Sequence, residues 1–406
     1  MSDTVSDQRA RLREVARLFT RLGFTAFGGP AAHVAMMEDE VVVRRHWLDR
    51  QHFLDLVAAV NFVPGPNSTE LAIHLGYIRA GLAGLITAGV CFITPAMLII
   101  LPLAYLYVRT GSLPQVSAAL VGINGCVIAI IAAAAVRLAQ TAITDVFSAV
   151  LLIASTIAGF WGNRFPGAQP ELLILAGAAL LGAIYYGRPR TALPNFAALL
   201  LPLVYGELGR AASSRQLTSD LTRMGLLFLR VGATLFGSGY VLISYLQSGL
   251  VDQYHWLTKK ELLDAIAVGQ VTPGPLLTTA TFVGYVLGAQ KFGGGVSGGI
   301  AGGVIATAAI FFPSFFFIAL LGRVLPRIRR NPHAAGALRA MNAAVVALIL
   351  VVCWRLAATA FVHDHRPQWL SIAVATISLM IILIWNVNST WLILASALIG
   401  VIRFLL

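Results

Sequence analysis

The chain has 406 residues, of which 58% are hydrophobic and 11% are charged, and its formal net charge is +12. This composition, with a mean hydropathy of +0.81, excludes an ordinary soluble domain and predicts an all-α polytopic membrane protein. The surplus of positive charge favours an anionic solute. Basic residues cluster at the ends of apolar segments, as expected of cytoplasmic loops, so nucleic-acid binding is a poor explanation of the charge.

Several apolar runs are long enough to cross about 30 Å of hydrocarbon. They cover residues 82–108, 116–136, 146–162, 292–321, 340–360, 370–385 and 390–402, with a further apolar run at 193–205. The arginines that precede the first apolar stretch resemble the start of a signal peptide. Because Arg21 and a Gly-Gly-Pro sequence follow and lead into more spans, we interpret this region as mature protein.

A Pro-Gly-Pro motif interrupts an apolar run at residues 64–66 and recurs at residues 273–275. Proline lacks a backbone N–H and disfavours helix at the residue before it, so a helix should end near each motif. The second proline of each motif can open a new helix. Asn67 and Glu70 have the spacing of a capping box at that start. Each motif therefore predicts a broken helix.

The chain contains an internal repeat. Residues 19–28 match residues 228–237 without a gap, and the same offset aligns the two Pro-Gly-Pro motifs. We predict a cytoplasmic N-terminal tail at 1–14, a first transporter repeat with an extra span at 15–187, a linker with an apolar crossing segment at 188–223, and a second repeat at 224–406.

Loop charges favour opposite orientations of the two repeats. The second half has five arginines between residues 323 and 339, whereas the equivalent loop of the first half has only Arg109. Equivalent loops of unequal charge are typical of loops that face opposite sides of a membrane, which predicts an inverted-topology repeat. Arg210, Arg215 and Arg223 argue against the single linker crossing that this topology requires. The sequence leaves open whether the first elements are re-entrant.

The paired helix breaks predict a binding site near the membrane midplane. A new helix start presents unpaired N–H groups and a partial positive charge, and both attract anions. Hydroxyls follow each break, at Ser68 and Thr69 and at Thr278 and Thr279. The alternative is that each motif is only a packing kink.

Other paired features add candidates to this site. The small residues at 28–30 and 237–239 form a second pair of breaks or, alternatively, a close helix contact. Arg21 and Arg230 are equivalent arginines that either bind the anion or extend to the membrane interface. Asn124 and Asn342 are predicted to form hydrogen bonds between helices. The predicted substrate-binding residues are Arg21, Gly28, Gly29, Pro30, His33, Pro64, Gly65, Pro66, Asn67, Ser68, Thr69, Glu70, Arg230, Gly237, Ser238, Pro273, Gly274, Pro275, Thr278 and Thr279.

The sequence from Phe27 to His33, the Trp47-Leu48 pair and the motif at 64–66, with a weaker second copy, resemble the chromate ion transporter family in its long, two-domain form. The resemblance implies a multi-pass protein of the bacterial inner membrane. It implies export of chromate, with sulfate as a similar oxyanion, driven by the proton motive force, and two halves of opposite orientation. The second half lacks the proline and the histidine of 28–33, so the halves should contribute unequally.

Three alternatives to chromate export remain at this level: transport or exchange of sulfate or another oxyanion, a passive anion channel, and an intramembrane enzyme. The acidic candidates for an enzyme, Asp55, Glu70 and Asp264, are not arranged as a catalytic pair. No metal-ligand spacing or phosphate-binding loop is present, so we expect no enzyme and no cofactor. The expected partners are the anion, a coupling proton, membrane lipid and, as a candidate assembly, a second copy in a homodimer.

Overall fold

The computed structural model describes residues 2–27, 29–111, 113–162, 170–187, 216–321, 331–363, 366–385 and 387–405. In these ranges the regular secondary structure is helical except for one short hairpin, in which β1 (Val362–His363) pairs antiparallel with β2 (Arg366–Pro367). The predicted all-α fold is thus confirmed. Gly28, the apolar run at 193–205 and the arginines at 323–330 lie outside the described residues.

The described part of the first half contains seven helices. They are α1 (Ser2–Thr25), α2 (Gly29–Glu38, continued by a π-helical segment, Asp39–Arg44), α3 (Arg50–Val60), α4 (Asn67–Thr110), α5 (Pro114–Ala142), α6 (Val146–Gly162) and α7 (Pro170–Tyr186). Helix α4 is kinked where Ala80 and Gly81 leave helical geometry, with φ at Gly81 equal to +64°. The kink divides α4 into a short first part and a long second part.

The second half repeats this order. Its helices are α8 (Gln216–Thr234), α9 (Val241–Leu246, continued by a π-helical segment, Gln247–Gln253), α10 (Lys259–Val271), a 3₁₀ turn (Leu276–Thr278), α11 (Thr279–Val286, with a π-helical segment, Leu287–Lys291), α12 (Gly295–Leu321), α13 (Pro332–Phe361), α14 (Trp369–Trp385) and α15 (Ser389–Leu405). Helices α11 and α12 correspond to the two parts of α4, and α13 to α15 correspond to α5 to α7.

Four described helices, α4, α5, α12 and α13, are long and apolar enough to cross a membrane. Four shorter apolar helices, α6, α7, α14 and α15, accompany them. Large apolar side chains on these shorter helices are exposed, among them Ile153, Ile184 and Trp391. An outer surface of this kind is suited to lipid and costly in water.

The two halves exchange their last helices. Helices α6 and α7 pack mainly on α13 of the second half, and α14 and α15 pack on α5 of the first half. In contrast, α1 packs on α4 and α8 packs on α12 within the same half. The largest apolar core accordingly combines residues of both halves, such as Ile128 and Leu151 with Leu348 and Val352.

Reciprocal backbone hydrogen bonds join the helix breaks of the two halves. The N–H of Gly65 donates to the carbonyl of Leu235 at 2.6 Å, and the N–H of Gly274 donates to the carbonyl of Ala26 at 2.9 Å. The two donors are equivalent in the repeat, and so are the two acceptors. Each Pro-Gly-Pro motif is therefore fixed to the end of the first helix of the other half.

The equivalent helices α5 and α13 run antiparallel. Arg339, near the start of α13, donates from Nε to Oγ1 of Thr144, just beyond the end of α5, at 2.7 Å. Further along α13, Sγ of Cys353 lies 3.9 Å from the carbonyl oxygen of Ile128, in the middle of α5. Residues later in α13 therefore lie beside residues earlier in α5.

The contact between α5 and α15 leaves no space for larger side chains. A Cβ at Gly122 would overlap the carbonyl of Ser396. We expect Gly122→Leu to cost about 1–3 kcal/mol through overpacking and to lower the apparent melting temperature of the detergent-purified protein. Gly177→Leu on α7 is the matched control, because a Cβ there meets nothing within 4 Å. Equal melting temperatures of the two variants would contradict the exchanged packing.

Candidate functional site

In each half the helices are interrupted twice, once after the first helix and once at the Pro-Gly-Pro motif. Helix α1 ends at Thr25 and α2 begins at Gly29, with φ of +80°, and α8 ends at Thr234 before Gly237, with φ of +84°. Such φ values favour glycine. The sequence prediction of a second pair of breaks is confirmed.

The Pro-Gly-Pro breaks also form as predicted. Helix α3 ends at Val60 and α10 ends at Val271. Pro66 and Pro275 then adopt extended geometry, and a helix begins at the next residue in each case. In both halves, therefore, one helix ends before the Pro-Gly-Pro motif and the next begins directly after its second proline.

The predicted capping box of Asn67 and Glu70 is wrong. Pro66 occupies the N-cap position and has no side-chain oxygen, so Asn67 is already the first helical residue. The Asn67 amide instead donates to Oδ1 of Asn61 at 2.6 Å. No side chain caps this helix start, which leaves its first N–H groups without an acceptor in their own helix.

A cavity of about 460 Å³ lies where the four breaks meet. Its wall combines first-turn residues of α2 and α4, the turn before α9 and the helix start after Pro275, together with α5 and the α14–α15 connection. The lining residues are Phe27, Gly29, Pro30, Ala31, Ala32, Pro66, Asn67, Ser68, Ile130, Ala133, Ala134, Arg137, Leu138, Gly237, Ser238, Gly239, Tyr240, Leu276, Leu277, Ile382, Val387, Asn388 and Ser389.

Arg137 is the one charged side chain among these described lining residues, and no carboxylate accompanies it in the wall. It extends from α5 and donates from Nη2 to the carbonyl of Ile382 on α14 at 2.9 Å. Together with the positive ends of the surrounding helices, it makes the cavity electropositive.

The equivalent arginine of the second half, Arg355, has a different environment. It makes the same type of bond, from Nη2 to the carbonyl of Gly159 at 2.9 Å, but its Nη1 also lies 3.7 Å from Oδ2 of Asp252. No role was predicted for Arg137 from the sequence. A duplicated arginine toward the end of an apolar run was the signal that could have identified it.

Seven of the predicted binding residues form part of the cavity wall. They are Gly29, Pro30, Pro66, Asn67, Ser68, Gly237 and Ser238. A second group of predicted residues lies behind the wall. In this group His33 is buried. Its Nδ1 lies 3.3 Å from Oγ of Ser68, and its Nε2 lies 3.1 Å from the carbonyl oxygen of Ala26. Pro64, Gly65, Thr69 and Glu70 are also buried and outside the lining.

The second half contributes a less polar wall. Leu276 and Leu277 line the cavity where the first half has Asn67 and Ser68. The hydroxyl of Thr278 donates to the carbonyl of Pro275 at 2.6 Å, and that of Thr279 to the carbonyl of Leu276 at 2.8 Å. Both hydroxyls thus bind their own backbone. Pro273, Gly274 and Pro275 support this wall from outside the lining.

The two predicted intramembrane arginines lie away from the cavity. Arg21 forms an ion pair with Glu40. Burial opposes ionisation of this carboxyl, but hydrogen bonds from Arg21 and Arg45 lower the pKa of Glu40. Arg230 lines a separate small cavity of about 20 Å³ beside Tyr245. The structure therefore gives Arg21 a structural contact and does not bring either arginine to the helix breaks.

Among buried polar groups, Asn124 donates from Nδ2 to Oδ1 of Asp264 at 3.2 Å, which confirms its predicted hydrogen bond between helices. The hydroxyl of Tyr107 donates to the other oxygen of Asp264 at 2.9 Å. Within the described ranges, no group of three His, Cys, Asp or Glu side chains could hold a metal ion.

Two segments of the chain, residues 13–183 and 222–401, match the chromate transporter family. The chain belongs to this family. It is 30% identical to the chromate transport protein of Cupriavidus metallidurans over 97% of the chain and 93% of that relative. It is 29% identical to the probable chromate transport protein of Synechococcus elongatus (79% and 78% covered) and to the chromate transport protein of Pseudomonas aeruginosa (82% and 77% covered).

No solved structure matches the chain. The relatives of this chromate transporter family member are named as transport proteins, which points to a transporter rather than an enzyme. Its long apolar helices indicate a multi-pass membrane protein. The two family matches fall on the two halves that share the helix order described above.

Proposed function

We propose that this protein exports chromate across a bacterial inner membrane, that the anion binds in the cavity between the helix breaks, and that the proton motive force drives export. The observation that carries the proposal is a cavity whose described lining has one arginine and no carboxylate. The names of the relatives support chromate as the anion.

The cavity wall has the chemistry that a tetrahedral oxyanion needs. First-turn N–H groups of α2 and α4 supply donors and partial positive charge. The guanidinium of Arg137 offers several N–H donors in one plane, and Ser68, Ser238 and Ser389 lie in the same wall. A volume of about 460 Å³ accommodates one oxyanion and several waters, at about 30 Å³ per water.

The repeat supports alternating exposure of this site. The antiparallel course of α5 and α13 and the reciprocal bonds of Gly65 and Gly274 are the arrangement that an inverted repeat requires. In transporters of that class, the substrate lies at the interface of the repeats, where broken helices end. The loop charges that predicted inversion fit the same arrangement.

The membrane potential provides the driving force in this proposal. Moving one elementary charge across 100 mV is worth about 2.3 kcal/mol. A dianion that leaves a cytoplasm of negative potential gains twice that free energy. Export therefore uses the electrical component of the proton motive force, which acts on two elementary charges when the dianion leaves alone and on one when a single proton leaves with it.

The proposal is tested with inverted inner-membrane vesicles. Respiring vesicles that contain the protein should accumulate chromate, and a potassium ionophore that collapses the potential should reduce the accumulation. If the protein is a carrier, vesicles preloaded with unlabelled chromate should take up labelled chromate faster than empty vesicles. A passive channel shows no such acceleration. Sulfate competition measures selectivity. Uptake no greater than in vesicles without the protein would refute the proposal.

A further inference from the structure

Glu70 is a fully buried carboxyl group beside the first Pro-Gly-Pro motif. Neither of its oxygens, nor the buried hydroxyl of Ser314 on α12, has a hydrogen bond of standard geometry within the described part of the chain. A Cβ at Gly65 would overlap both Oε1 of Glu70 and Oγ of Ser314. The carboxyl and the hydroxyl therefore lie together against the motif, just outside the cavity lining.

The surroundings of Glu70 do not balance a negative charge. No described Arg or Lys forms an ion pair with it. Titratable groups on the elements packed around it include His74, one turn along α4, His52 on α3, whose charge acts on His74, and His33 on α2, which is bonded to Ser68 and Ala26. An ionised carboxyl group buried without a partner is costly, so a proton on Glu70 is stabilising in this position.

Only the first half has this group. The repeat places Thr279 at the position of Glu70, and the hydroxyl of Thr279 is bonded to its own helix. At Gly274, which is equivalent to Gly65, a Cβ would come within 2.8 Å of Cβ of Ala96 on α4. An alanine thus occupies the place that corresponds to Ser314. The two motifs share their backbone contacts, but one alone carries a titratable side chain.

Glu70 belongs to the first turn of the helix that reaches the cavity. Asn67 and Ser68 of the same turn line the cavity. A carboxylate at a helix N-terminus is stabilised by the same partial positive charge that attracts a bound anion. The two negative charges compete for that end and repel one another, whereas a protonated Glu70 leaves it free for the anion.

We propose that Glu70 is the proton site of this transporter and that proton binding at Glu70 and oxyanion binding in the cavity strengthen each other. The proton comes from bulk water and bonds to one carboxylate oxygen, and no electrons are transferred. This inference rests on the proposed function. In this inference, the linkage between anion binding and proton binding belongs to the first half alone.

Calorimetry of chromate binding to the purified full-length protein tests the linkage. Titrations in buffers of different ionisation enthalpy, from about pH 7 to about pH 9, give the number of protons taken up; buried carboxyl groups titrate in this range in other proteins. In the native protein we expect proton uptake and an affinity that falls at least tenfold as the pH rises. Glu70→Gln should bind chromate with a nearly constant affinity and take up fewer protons.

Glu171→Gln is the matched control, because Glu171 is a buried carboxyl group on α7, outside the cavity lining. It should keep the proton uptake of the native protein. Proton uptake by chromate itself is the same in all three proteins and cancels in the comparison. Equal proton uptake in Glu70→Gln and the native protein would overturn this inference and leave the anion site intact. Absence of chromate binding in every protein would overturn the proposed function.

Discussion

Replacing Arg137 by alanine is expected to lower the affinity for chromate on the order of thirtyfold, because a charge-assisted hydrogen bond is worth about 2 kcal/mol. Arg137 is the one charged residue in the described cavity lining, so no other side chain of the wall replaces its charge. The loss should appear in binding to the purified protein and in chromate uptake by inverted vesicles.

Two further variants separate charge from geometry. Arg137→Lys keeps the charge but loses the planar set of donors, and it should recover part of the affinity. Arg109→Ala removes one positive charge from the exposed end of α4 and should bind chromate like the native protein. An Arg137→Ala protein of native affinity would show that the anion binds elsewhere.

Replacing Gly65 by alanine is expected to lower the stability and to abolish transport. Its φ of +145° disfavours any side chain, and the new Cβ would overlap Glu70 and Ser314. Overpacking of this kind costs about 1–3 kcal/mol. The displaced backbone would also weaken the hydrogen bond from Gly65 to Leu235, which holds the two halves together at the break.

Gly81→Ala is the control for backbone strain alone. Gly81 has a φ of +64°, and a Cβ there meets nothing within 4 Å. We expect a cost of about 1–3 kcal/mol, because φ of +64° with ψ of −152° is backbone geometry essentially confined to glycine, with transport retained. Thermal unfolding measures the stability of both variants, and chromate uptake by inverted vesicles measures their transport. A loss of transport in Gly81→Ala as severe as that in Gly65→Ala would contradict the special role of the motif.

Much of the fold was predictable because it depends on local chemistry. Proline chemistry placed the breaks at 64–66 and 273–275, and apolar length located the spanning helices. The exchange of α6 and α7 with α14 and α15 was not predictable, because lipid-facing and helix-facing apolar residues have similar composition. The kink at Gly81 was also missed, since a single glycine in an apolar helix has several structural uses.

The candidate site was predicted only in part, because the sequence does not tell a side chain that lines a cavity from one behind it. Ser68 and Thr69 are adjacent and similar, yet only Ser68 lines the cavity. Arg21 was selected as an expensive charge inside the membrane, but Glu40 offsets that charge from another helix. Arg137 was overlooked because it lies toward the end of an apolar run, where an arginine side chain commonly extends to the membrane interface.

The exchange of helices restricts how such a transporter can move. If one half rocked as a rigid body against the other, α6 and α7 would separate from α13, and α14 and α15 from α5. Close glycine contacts such as Gly182 with Gly336 would then open to lipid. We therefore expect the six helices α5 to α7 and α13 to α15 to stay together as one frame during transport, and the gating motion to cost least when α1 to α4 and α8 to α12 shift within it.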